Sequence, residues 1–199
     1  DLYGCHDLGC AGDPACAEGS GVWESFWGVE GAVFDLEHKS VTFTPDATSF
    51  VLTSEDATGL PDVPGTGDTH LNTNLFNDLA PKTQVLPFTF PYLTGAFDTV
   101  YIYDDGFISF NKLVQTYREP FLDGSWFNLH TFIAPLWANW DPRLGGSGDV
   151  LYDAYADRVS ITWDGLLHHS QGVDATTFQL TLYNDGRIRM TWLEVQAVD

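Results

Sequence analysis

Three kinds of residue in this 199-residue chain could do chemistry by their type and spacing: cysteines, clustered acids and histidines, and tryptophans. Cys5, Cys10 and Cys16 all fall within the first sixteen residues, with Gly4, Gly9, Gly12 and Pro14 among them. Their C-x4-C-x5-C spacing lacks the paired C-x2-C of a zinc site. It reads as a small disulfide knot formed in an oxidising compartment, with one cysteine left free or joined to something outside the chain. His168 and His169 are adjacent and lack an H-E-x-x-H context. On a strand they would face opposite ways, so they do not readily chelate one ion together. The run Gly145-Gly146-Ser147-Gly148-Asp149 breaks the G-x-S-x-G pattern at its last position, and no P-loop or dinucleotide fingerprint occurs. Asp104 and Asp105 could supply the carboxylates of a glycoside hydrolase. Asp104-Asp105-Gly106 is already accounted for as a hairpin turn. No residue is assigned a catalytic role, and the chain is read as non-enzymatic.

The acids matter more as a population. Twenty-eight Asp and Glu face eight Lys and Arg, a formal net charge of −20. Such a surface repels phosphate backbones and anionic lipid heads, which argues against nucleic-acid binding and direct membrane insertion. It suits divalent cations, cationic partners or a saline habitat. No cofactor is required by any motif. Calcium is the one that oxygen-rich loops would accept, at Asp1, Asp7 and Asp13, at Asp56, Asp62 and Asp68, or at Asp141 with Asp149. None of these matches D-x-[DN]-x-[DN]-G, so no metal ligand is assigned. Among the aromatics, Trp126, Trp137 and Trp140 could stack on sugars. Trp137 sits inside an apolar run and is expected in the core, as is Trp163. Trp126, between Ser125 and Phe127 in a loop-like stretch, is the candidate for ligand binding.

The elements that must position these groups are strands. Hydroxyl and apolar side chains alternate over residues 40–44, and after a turn at 46–49 the return begins at 50–53, a hairpin pattern. Residues 54–72 form a loop punctuated by Gly59, Pro61, Pro64, Gly65 and Gly67. Residues 73–84 read as weakly helical or irregular. Strand signals then follow at 85–90, a break at 91–95, and further strands at 99–103 and 107–110 around Asp104-Asp105-Gly106. The apolar run 132–137, a loop at 141–148, and strands at 150–155, 158–163, 177–183 and 187–193 complete the series, the last two joined by Asn184-Asp185-Gly186. No 3.6-residue stripe persists for three turns, so helix should stay under about 10%. The expected architecture is an all-β, jelly-roll-like antiparallel sandwich in a single domain over residues 22–199. A Gly- and Asp-rich cysteine head at residues 1–21 precedes it.

Seven runs in this order resemble a nidogen-like (NIDO) extracellular domain and the related β-sandwich modules of large bacterial secreted proteins. They begin with Phe88-Thr89-Phe90-Pro91-Tyr92 and Val100-Tyr101-Ile102-Tyr103-Asp104-Asp105-Gly106-Phe107-Ile108-Ser109-Phe110. Ile133-Ala134-Pro135-Leu136-Trp137-Ala138-Asn139-Trp140-Asp141 and Gly148-Asp149-Val150-Leu151-Tyr152 follow. The series closes with Val159-Ser160-Ile161-Thr162-Trp163-Asp164, Thr177-Phe178-Gln179-Leu180-Thr181-Leu182-Tyr183 and Asp185-Gly186-Arg187-Ile188. The match spans residues 85–195. Asn139 and Trp140 stand where the pattern often has an acid, and the chain stops at Asp199 soon after the last matched strand, as a processed fragment would. The resemblance implies a secreted or cell-surface module for adhesion or structural interaction, with a protein or glycan partner at the cell surface or matrix, and no catalysis. The alternatives are a carbohydrate-binding module attached to a secreted hydrolase and a small hydrolase with an acidic site. Oligomeric state is not readable.

Overall fold

The structure, a computed structural model, describes residues 34–47, 49–65, 67–71, 81–93, 95–111, 131–169 and 174–195. Among these residues every regular element is a β-strand. The cysteine head, Trp126 and the run 73–80 lie outside them.

β1 (Lys39–Pro45) and β2 (Phe50–Asp56) form the first hairpin, in the register Thr42↔Thr53. They join β3 (Thr69–His70), β8 (Asp149–Ala154), β9 (Arg158–Leu166), β10 (Thr176–Tyr183) and β11 (Ile188–Glu194) in a seven-stranded antiparallel sheet, ordered β2-β1-β11-β10-β9-β8-β3. β4 (Lys82–Tyr92), β5 (Gly95–Tyr103), β6 (Phe107–Ser109) and β7 (Phe132–Ile133) form a four-stranded meander. The turns follow glycine chemistry. Gly106 closes β5–β6 at φ 83°, and a Cβ there would come within 1.9 Å of the Leu136 carbonyl oxygen, so neither the angle nor the space admits a side chain.

Four expectations shift. The loop read at 54–72 holds the end of β2 and the two-residue β3, and the run read as weakly helical or irregular at 73–84 is already β4 from Lys82 onward. The break at 91–95 is instead a tight hairpin, with Tyr92 opposite Gly95 and β4 running through Pro87 and Pro91. Proline is tolerated there because β4 is the sheet edge and its register slips between Val85 and Phe90. The apolar run 132–137 yields only the two residues of β7. Pro135 has no N–H for a ladder, and beyond it Leu136 and Ala138 donate to the carbonyls of Gly106 (3.4 Å) and Asp105 (3.1 Å).

Period-two alternation builds one core between the sheets. Val159, Ile161 and Trp163 on β9 and Phe178, Leu180 and Leu182 on β10 meet Phe90, Val100, Ile102 and Ile108 from the smaller sheet. Trp163 stacks on Phe178 at 4.9 Å, and its indole N–H donates to the Tyr103 carbonyl at 2.9 Å. The opposite face of the larger sheet is polar but equally buried: Ser160, Thr162, Gln179, Thr181, Thr191 and Ser40. Register aligns Thr162, Gln179, Thr191 and Ser40 in one row across four strands.

Candidate functional site

A polar sheet face stays buried only if something covers it with matched hydrogen-bonding groups. Here that cover is the loop following β2. Asp62, itself buried, accepts from Arg158 Nε (3.0 Å) and Nη2 (2.6 Å) and from the Ser160 hydroxyl. Gln179 holds the same loop residue by its backbone: its Nε2 donates to the Asp62 carbonyl at 2.6 Å and to Thr162 Oγ1 at 2.8 Å, while its Oε1 accepts from the Asp62 N–H at 3.2 Å. Burial alone would raise the Asp62 pKa. Hydrogen bonds from Arg158 and Ser160, with the Arg158 charge, outweigh it and hold the carboxyl below its ordinary value. A carboxylate saturated in this way fixes the loop in place and is not free to move protons. It turns a Gly- and Pro-rich segment into a rigid strap.

Beside the strap the sheet is irregular on both sides of β10. On the β9 side Phe178 pairs with Trp163 and Thr176 with Leu166, so Asp164 and Gly165 face the single residue Thr177. On the β11 side Thr177 pairs with Glu194 and Phe178 with Trp192, so Leu193 is extra. Bulges of this kind re-aim side chains. Gly165 takes φ 66°, and its N–H is satisfied by Thr177 Oγ1 at 3.0 Å. Gly148 lies so close that a Cβ on it would reach 1.7 Å from the Asp164 carbonyl oxygen. The re-aimed residues and the strap enclose a shallow groove of about 430 Å³, lined by Leu60, Val63, Asp164, Thr177, Leu193 and Glu194. Val63 is 77% exposed, the most exposed large hydrophobic residue described. Asp164 and Glu194 are exposed and, among the described residues, make no ion pair. The sequence carried one sign of this place, a glycine within a strand pattern at Gly165.

The residues singled out earlier are dispersed. Asp56 pairs with Lys39, Asp62 lies in the strap network, and Asp68 accepts from the Gly65 N–H at 2.8 Å. Asp141 is buried and takes Arg143 Nε at 2.7 Å, Arg143 Nη2 at 2.9 Å and His169 Nδ1 at 3.0 Å. The Arg143 hydrogen bonds outweigh burial, and with help from His169 they hold its pKa down to about 2. Asp149 accepts from its own strand at the Val150 N–H and pairs with His70 at 2.7 Å. Among the described residues no group of three or more His, Cys, Asp and Glu gathers where it could hold a metal. His168 and His169 lie beyond the end of β9 and take different partners: His169 pairs with Asp141, while His168 packs edge-on against Trp140, and burial, with the neighbouring His169, lowers its pKa.

Asp104 and Asp105 form the expected turn, yet both are buried beneath the segment after β7. Trp163 is in the core, as expected. Trp137 is not. It is half-buried in a separate cluster on the outer face of the smaller sheet, stacked on Phe107 at 4.2 Å, with Phe107 stacked on Tyr103 at 4.1 Å. Trp140, read as a possible sugar platform, is 2% exposed and its indole N–H donates to the Leu136 carbonyl, so it cannot stack on a ligand. None of the exposed large hydrophobic residues described is aromatic. Cys5, Cys10, Cys16 and Trp126 lie outside the described residues.

No solved structure matches the chain. A family model described as NIDO related matches residues 40–199, from β1 onward and more than half of the chain. Apart from Lys39, both sheets and the buried Trp163 therefore sit inside the matched region, and the chain belongs to the NIDO-related family, whose domains are in general extracellular, non-catalytic interaction modules.

Proposed function

We propose that this domain is a non-catalytic adhesion or structural module of a larger secreted or surface protein, which binds a partner through its surface. The observation that carries this reading is how its polar groups are used. Of the four carboxylates buried among the described residues, Asp62 is saturated by Arg158 with Ser160, Asp141 by Arg143 with His169, and Asp104 and Asp105 are enclosed in the turn between β5 and β6. Family membership supports the same general role. The partner is a protein of the cell surface or matrix. The rival reading, a carbohydrate-binding module, needs a solvent-facing aromatic strip, and the described residues offer none. Trp126 remains its only named candidate.

The test is binding of the purified domain to cell surfaces and to decellularised matrix, each before and after enzymatic removal of glycans, alongside a glycan array. Saturable binding that survives deglycosylation, with an empty array, is the expected result. Binding lost on deglycosylation, or strong array signals, would replace this reading with the carbohydrate one.

A further inference from the structure

We propose that the groove between the strap and the bulged strands receives an arginine or lysine side chain from an extended basic segment of a partner protein. This deepens the interaction reading above and rests on it. The groove combines two features that a long cationic side chain needs. Its walls offer aliphatic surface, from Leu60 and Val63 on the strap and Leu193 on β11, for the methylene stem. Its lining also includes two carboxylates, Asp164 and Glu194, for the charged head. These two residues sit on β9 and β11, separated by β10, so their backbones stand roughly 10 Å apart, two strand spacings, with room for a cation between.

Charge complementarity selects the occupant. Lys39, Arg143, Arg158, Arg187 and Arg189 are already in ion pairs with Asp56, Asp141, Asp62, Asp185 and Glu55. The unspent charge of the chain, net −20, is therefore carboxylate, and in this groove it is placed beside apolar surface. A second copy of so acidic a domain would be repelled, and a neutral apolar segment would leave both acids facing it uncompensated. The strap cannot fold away to hide Val63, because Asp62 pins it one residue earlier. An exposed valine held up in this way is surface available for contact.

The probe is a nine-residue peptide alternating valine and arginine, titrated into the isotopically labelled domain and followed by amide chemical shifts. A twin peptide carries neutral citrulline at each arginine. The arginine peptide is expected to move the amides of Leu60, Val63, Asp164, Leu193 and Glu194, and the citrulline peptide is not. The double variant Asp164→Asn/Glu194→Gln should bind at least tenfold more weakly. Neutralising two exposed acids elsewhere, Asp46→Asn/Asp98→Asn, should cost less than twofold. All four positions are exposed, so the variants should fold. Equal weakening by both variant pairs, equal binding of the citrulline peptide, or shifts spread over the whole surface would overturn the proposal. If it falls in this way while the domain still binds deglycosylated matrix, the groove is wrong and the interaction reading stands. If the arginine peptide seats in the groove but the domain binds neither matrix nor cells, the groove is right and the broader reading fails.

Discussion

Asp62→Ala is the most informative single perturbation of the fold. It deletes the acceptor for Arg158 Nε, Arg158 Nη2 and the Ser160 hydroxyl, while leaving the two hydrogen bonds between Gln179 and the strap backbone in place. Breaking a fully buried ion pair from one side costs about 3–5 kcal/mol. Arg158 is not fully buried, however. Its side chain is 28% exposed, it keeps Asp157 at 3.1 Å and it lies over the Tyr155 ring at 4.0 Å, so part of its charge can be rehydrated or shared. The Ser160 hydroxyl can turn to Thr181 Oγ1, at 3.2 Å. The expected loss is therefore about 2–3 kcal/mol, a fall in Tm of roughly 4–12 °C for a chain of this size. A double-mutant cycle with Arg158→Met should return a coupling of about 1–2 kcal/mol.

The pH dependence has a definite sign. The Asp62 carboxyl has a lowered pKa in the folded state, so its contribution is complete above the unfolded carboxylate pKa of about 3.9 and fades as pH falls through the lower folded value. The gap between parent and variant should be constant from neutral to about pH 5 and close below about pH 4. Urea unfolding at a series of pH values measures both quantities. A variant that melts with the parent, or a gap that widens in acid, would refute the strap account.

Three further outcomes follow from the packing and charge. Trp163→Ala should cost about 3–5 kcal/mol, because Trp163 is fully buried against Phe178; Trp137→Ala, half-buried outside the main core, should cost only about 1–3 kcal/mol by thermal unfolding. Asp141→Asn should lose about 2 kcal/mol at neutral pH, and the deficit should vanish as pH falls from 3.8 towards about 2, where the parent carboxylate also takes up its proton. Sodium chloride at a few hundred millimolar should raise the Tm by screening self-repulsion. Millimolar calcium in that background should add nothing through the described loops, since Asp56, Asp62, Asp68, Asp141 and Asp149 are each engaged in separate hydrogen bonds. A calcium-selective rise would show that a loop site exists.

Local chemistry was legible in the sequence. Asp-Gly turns at 104–106 and 184–186, hydroxyl–apolar alternation and the β-rich runs place most of the strands, because turn geometry and period-two burial act over a few residues. The sequence did not reveal what depends on the second layer. Ser160, Thr162, Thr181 and Gln179 occupy the positions that alternation assigns to solvent, and only the strap, about a hundred residues away in sequence, makes them interior. Asp62 looked like any acid in a Gly- and Pro-rich loop. Trp137 and Trp140 exchanged roles because Pro135 ends β7 early and turns the chain, which carries Trp140 inward and leaves Trp137 on the outer face. The groove has no signature in any one segment because it arises from register slips on both sides of β10, which no single strand encodes.

The most direct measurement of the central claim is the binding isotherm of the purified domain on deglycosylated, decellularised matrix, run at low and at moderate salt. Recognition through an acidic surface predicts saturable binding that weakens as salt rises and survives loss of the glycans. Binding that disappears with the glycans, or no saturable binding at either salt concentration, would contradict it.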